Sequence, residues 1–156
     1  MKSGQEQQRA RHTRDVNAAG RATGPGRLLV AVYGVFALSA TARAGYQIAT
    51  KFSEAPVAYL LSAFAAVVYI LATVTLAKSG TRSYWLSVAA VSIELVGVVS
   101  VGLLSVLDPQ LLPQDTVWSG FGKGYGYIPL LLPVIGLWWL WRHRPSAGPK
   151  PPEDRP

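Results

Sequence analysis

Three stretches of this chain are apolar for longer than a soluble helix needs, and short polar breaks divide them. They are Leu28 to about Ala49 (LLVAVYGVFALSATARAGYQIA), Val57 to Ala77 (VAYLLSAFAAVVYILATVTLA) and Tyr84 to Leu107 (YWLSVAAVSIELVGVVSVGLLSVL). At about 1.5 Å per residue each reaches the ~30 Å depth of a hydrocarbon core. The runs are continuous rather than alternating, which argues for helices and against a membrane β-barrel. The first break, KFSEAP, has the chemistry of a helix start in Ser53, Glu54 and Pro56. The second, KSGTRS, carries Gly80 as a stop signal between two basic residues.

A fourth helix is predicted over about 125–141, ending IPLLLPVIGLWWLW. Pro129 fits its first turn, and Pro133 is expected to kink it. Before it lies a long external loop, 108–124, with glycine at every second position from Gly120. Its spacing is neither a dinucleotide fingerprint nor a P-loop. Leu111, Leu112, Trp118 and Phe121 predict a loop that lies in the interface or dips into it, and Trp118 is a candidate contact for an extracytoplasmic partner.

Charge adds orientation. The net charge is +7, and the basic residues flank the apolar runs with no nucleic-acid motif beside them, so nucleic acid is not an expected partner. With the N-terminus inside, twelve Lys and Arg fall on the cytoplasmic side. They are Lys2, Arg9, Arg11, Arg14, Arg21 and Arg27, then Lys78 and Arg82, then Arg142, Arg144, Lys150 and Arg155. Only Lys51 and Lys123 fall outside. That asymmetry predicts a multi-pass protein of the cytoplasmic membrane with both termini cytoplasmic. Residues 1–27 read as a disordered basic tail and 142–156 as a disordered Pro-rich one. Ala42-Arg43-Ala44 resembles a signal-peptidase site, but the basic segment ahead of it is long and the run stays apolar after it, so a retained helix is expected.

The chain has no cysteine, and His12 and His143 both lie in polar flanks, so no metal or cofactor site is expected. One acid interrupts the third run. An unpaired carboxylate costs about 2.5–3.5 kcal/mol at the centre of a membrane helix. The surrounding Val, Leu and Ile outweigh that for insertion, but Glu94 should still face the bundle interior. Ser87, Ala90, Val91, Gly97, Val98 and Val101 share its face at helical spacing. On the first helix Ser39, Arg43, Tyr46 and Gln47 make a polar stripe; on the second, Ser62, Ala66, Tyr69 and Thr73 fall together. The candidate intramembrane polar site is therefore Arg43, Glu94, Tyr69 and Gln47, with Arg43 pairing Glu94. No nucleophile and base stand in a catalytic arrangement, so no enzyme activity is expected.

Two stretches, EAPVAYLLSAFAAVVYI and TVWSGFGKGYGYIPLLLPVIGLWWL, resemble small four-helix integral membrane proteins of actinobacteria. The resemblance spans about residues 28–142 and implies location and architecture, with no chemistry attached. Four helices and one membrane glutamate also resemble small multidrug exporters, but there the glutamate lies on the first helix, where this chain has Arg43. The expectation is an all-α polytopic membrane protein, a four-transmembrane-helix bundle with disordered cytoplasmic tails. Its partners are the lipid bilayer and an unidentified membrane protein. A structural or accessory role leads, and a proton- or ion-coupled transporter or channel component is the alternative.

Overall fold

The computed structural model describes residues 4–9 and 24–145. The disorder expected of the tails falls mostly on 1–3, 10–23 and 146–156, outside the described residues. Residues 4–9 are helical rather than irregular; Gln5, Glu6, Gln7, Gln8 and Arg9 are all good helix formers.

Four longer helices follow. Helix α1 runs Pro25–Lys51, three residues earlier than the apolar run suggests. Gly24 takes a φ of 91° ahead of it, and Pro25 opens the helix where a missing N–H costs nothing. Helix α2 is Pro56–Ala77. Its proline is in the first turn as expected, but Ala55 is the N-cap and no side chain caps it, so Ser53 does not play that part. Helix α3 is Thr81–Leu107. No strand occurs among the described residues.

Helix α2 packs against both α1 and α3. The α1–α2 seam is built from small residues, Ala37, Ala40 and Ala44 on one side and Ala58, Ala65, Ala66 and Ala72 on the other, all buried. Small side chains let two helix backbones approach closely, which is how helices associate where no hydrophobic effect draws them together. The outward faces carry Val35, Leu38, Leu60, Ile70, Val96 and Leu103, all exposed. A surface this apolar suits lipid and not water. By length and composition α1, α2 and α3 can each cross a membrane.

The rest of the chain departs from a simple loop and helix. Residues Ser119–Tyr125 form a 3₁₀ segment, and helix α4, Ile128–Arg142, leaves it at a bend of 100°. Together they make one broken span or a re-entrant loop, so the count is three spans or up to four. Helix α4 starts at Ile128 and not Tyr125 because Gly126 (φ 63°) and Tyr127 (φ 61°) are left-handed. Its 15 residues reach only about 22 Å. Pro133 sits inside it, buried.

The segment before α4 turns back along α3. The Trp118 ring lies over Gly97, where an added Cβ would meet it at 2.5 Å, and Phe121 lies over Gly102. Gly97 is ten residues before the end of α3 at Leu107, so the chain has turned back by about 15 Å along that helix. Gly122 has a φ of 81°, and any Cβ there would strike Pro129 at 2.7 Å, so only glycine joins this descent to α4. The backbone of the segment is bonded within the protein. Gly120 N–H donates to the Ser105 hydroxyl, Ser119 N–H to the Thr116 hydroxyl and Tyr127 N–H to the Gly122 carbonyl. Irregular backbone at membrane depth requires such internal partners. Helix α4 packs on α3 and ends in an anchor, with Arg142 over the Trp138 ring at 4.6 Å and Arg144 over that of Trp141 at 5.9 Å.

Candidate functional site

Glu94 lies at the midpoint of α3 and is fully buried. Ser87, Ala90, Val91, Val98 and Val101 are buried on the same face, as the spacing predicts. Gly97 is half-buried beneath Trp118.

The Tyr33 hydroxyl donates to Glu94 Oε2 at 2.6 Å, a short hydroxyl hydrogen bond. Tyr33 belongs to the buried stripe of α1 with Leu29, Phe36, Ala37, Ala40 and Ala44. Tyr69, on α2, adjoins the same carboxyl and interacts with it. Its hydroxyl accepts the Trp118 indole N–H at 3.1 Å. Tyr33, Tyr69 and Trp118 are all within 1% of complete burial. One atom is left over: Glu94 Oε1 is buried with no hydrogen-bond partner. Four segments of the chain thus meet at one carboxyl through two phenols and an indole.

Arg43 is not part of this meeting, which corrects the expected Arg43–Glu94 pair. Arg43 donates to the Tyr125 hydroxyl at 3.0 Å and to the Asp115 carbonyl at 2.6 Å. The reason is distance along α1. Tyr33 is the residue level with Glu94, and Arg43 lies ten residues further on, about 15 Å by helical rise and past the reach of its side chain. The returning segment meets it there instead. Phe36 separates the two clusters, its ring 5.5 Å from Tyr69 and 5.8 Å from Tyr125. The rest of the predicted stripe faces outward or stands alone. Ser39 and Tyr46 are exposed, and Gln47 is half-buried with Oε1 unpartnered and touches neither Glu94 nor Tyr69 by any hydrogen bond.

Trp118 is also corrected. As a candidate contact for an external partner it would need a free face, but it is 1% exposed and sits edge-on to Phe64 with its ring centroid 6.1 Å away. An anchor inside the bundle has no surface left for a second protein. The second-helix expectation fares better: Ser62, Ala66 and Tyr69 are buried and Thr73 half-buried. Tyr33 and Tyr125 were missed. Tyr33 lies on a helix that is apolar all round, so spacing does not single out its face.

No group of three or more His, Cys, Asp or Glu that could hold a metal occurs among the described residues. No protein-family model, curated protein or solved structure matches the chain.

The separation of the clusters sets a measurable expectation. Arg43→Gln and Glu94→Gln share no partner, so their effects on unfolding free energy should add to within about 0.5 kcal/mol. A double variant more stable than the weaker single variant would restore the ion pair to consideration.

Proposed function

We propose that this chain is a multi-pass protein of the cytoplasmic membrane, a four-helix bundle with both termini cytoplasmic, acting as a structural or accessory subunit without catalysis of its own. The orientation follows from the twelve basic residues placed inside against two outside. The fourth span is the broken pair of 3₁₀ segment and α4. The observation that supports an accessory role is the filled interior: Glu94, Tyr33, Tyr69, Val91 and Val98 have essentially no exposure. A core this closed gives no open water path past the acid.

One observation favours a second reading. Among the described residues Glu94 has no basic partner, and its Oε1 is unbonded. A purely architectural carboxyl is better served by satisfied oxygens, and intramembrane acids commonly carry protons. In that reading Glu94 takes up and releases a proton as part of a coupled transporter.

Reconstitution separates the two. Vesicles holding the full chain and a pH-sensitive dye should dissipate an imposed proton gradient no faster than empty vesicles, with Glu94→Gln unchanged. A flux that Glu94→Gln abolishes while the protein remains folded would replace the accessory reading with the transport one.

A further inference from the structure

A cavity of about 370 Å³ lies where α2 ends, α3 begins and α4 ends. It is separate from Glu94 and independent of how that acid is read. Its charged group is Lys78, His143 stands beside it, and no acidic side chain lines it. Lys78 has no carboxylate partner among the described residues. His143 has one ring nitrogen, Nδ1, committed to the Trp139 carbonyl at 2.8 Å, and its ring stacks on Trp139 at 4.4 Å. The hydroxyls of Ser79 and Thr81 line the cavity without a hydrogen bond among the described residues. Gly80 begins α3 without a side-chain cap, so first-turn N–H groups stand uncapped at the same rim.

The remaining walls are largely apolar, and the hydroxyls of Thr75 and Ser87 among them are taken up by backbone carbonyls. Leu76, Leu140 and Trp139 line the cavity below the polar rim. The opening lies at the same end of the bundle as the Trp138–Arg142 and Trp141–Arg144 pairs, the kind of aromatic and basic residues that favour a headgroup layer. A cation and hydroxyls at the rim over a largely apolar floor match a phosphate carried on an apolar body. Basic pockets between membrane helices on the cytoplasmic side hold phosphate headgroups in this way.

We propose that this cavity binds a phosphate ester through Lys78 and the hydroxyls of Ser79 and Thr81, and that its bearer is an anionic phospholipid of the adjoining leaflet. Binding is measured on the full chain in detergent, titrated with dioctanoyl phosphatidylglycerol, dioctanoyl phosphatidylcholine and inorganic phosphate. The anionic lipid should bind at least ten-fold more tightly than the zwitterionic one. Lys78→Gln should weaken it about five-fold, and Lys51→Gln, at the opposite end of the bundle, should leave it unchanged. Both substitutions lie on exposed residues, and an unchanged thermal midpoint verifies the fold. Equal affinity for the two lipids, or equal losses for Lys78→Gln and Lys51→Gln, overturns the site. If inorganic phosphate displaces the lipid at equal concentration, the lipid assignment falls and a soluble phosphate takes its place. Failure to displace it supports the lipid.

Discussion

Trp118→Ala should lower the thermal midpoint of the purified protein by roughly 10 °C, followed by circular dichroism in detergent. The indole is 1% exposed and fills the space over Gly97, so truncation leaves a cavity that a glycine face cannot close. Large-to-small changes of this kind cost about 3–5 kcal/mol. The Tyr69 hydroxyl also loses its indole donor. Trp118→Phe should recover much of the packing but not the hydrogen bond, and so fall between the two. A loss of under 2 °C in Trp118→Ala would show that the segment is held by Arg43 and its own backbone bonds instead. A fall in α-helical signal at room temperature would point the other way, to a segment on which α4 depends.

Glu94→Leu is the second large effect. The substitution is close in volume and suits the membrane, so insertion should improve. Folding should nevertheless suffer, because the Tyr33 hydroxyl, with no exposure, loses the acceptor it bonds at 2.6 Å. Leaving a buried donor unsatisfied costs about 1–3 kcal/mol. Glu94→Gln keeps an acceptor oxygen and should stay within about 1 kcal/mol of the parent. Tyr33→Phe combined with Glu94→Leu removes donor and acceptor together and should be more stable than Glu94→Leu alone. If Tyr33→Phe brings no such recovery, the hydrogen bond is not what the carboxyl contributes.

The buried faces of α2 and α3 could be read from spacing because each carries polar or small residues on one side. Ser62, Ala66 and Tyr69, and Ser87, Ala90 and Glu94, stand out against lipid-facing Val, Leu and Ile. On α1 both faces are apolar, so periodicity alone does not separate them. The charged residue then draws attention to itself, and the stripe through Arg43 displaced the one through Tyr33. Arg43 is near the interior, but its partners come from 72 and 82 residues further along the chain. Such contacts leave no trace in local pattern. The same holds for the returning segment. Its glycines and aromatics announced an unusual connection, and its aromatic content suggested entry into the interface. How far it enters depends on Gly97 and Gly102 of α3 matching Trp118 and Phe121. That is a match of shape between distant positions, and each glycine on its own reads as an ordinary helix residue.

The returning segment also constrains the order of assembly. Helices α1 to α3 are long enough to be handed to the bilayer one at a time as they are synthesised. Helix α4 is too short for that, and the turn before it would present open carbonyls and amides to acyl chains. Its docking groove exists only once α2 and α3 stand side by side, with Gly97 and Gly102 uncovered. The last third of the chain therefore waits on the first two, and biogenesis ends with the entry of Trp118 rather than with the threading of a fourth helix.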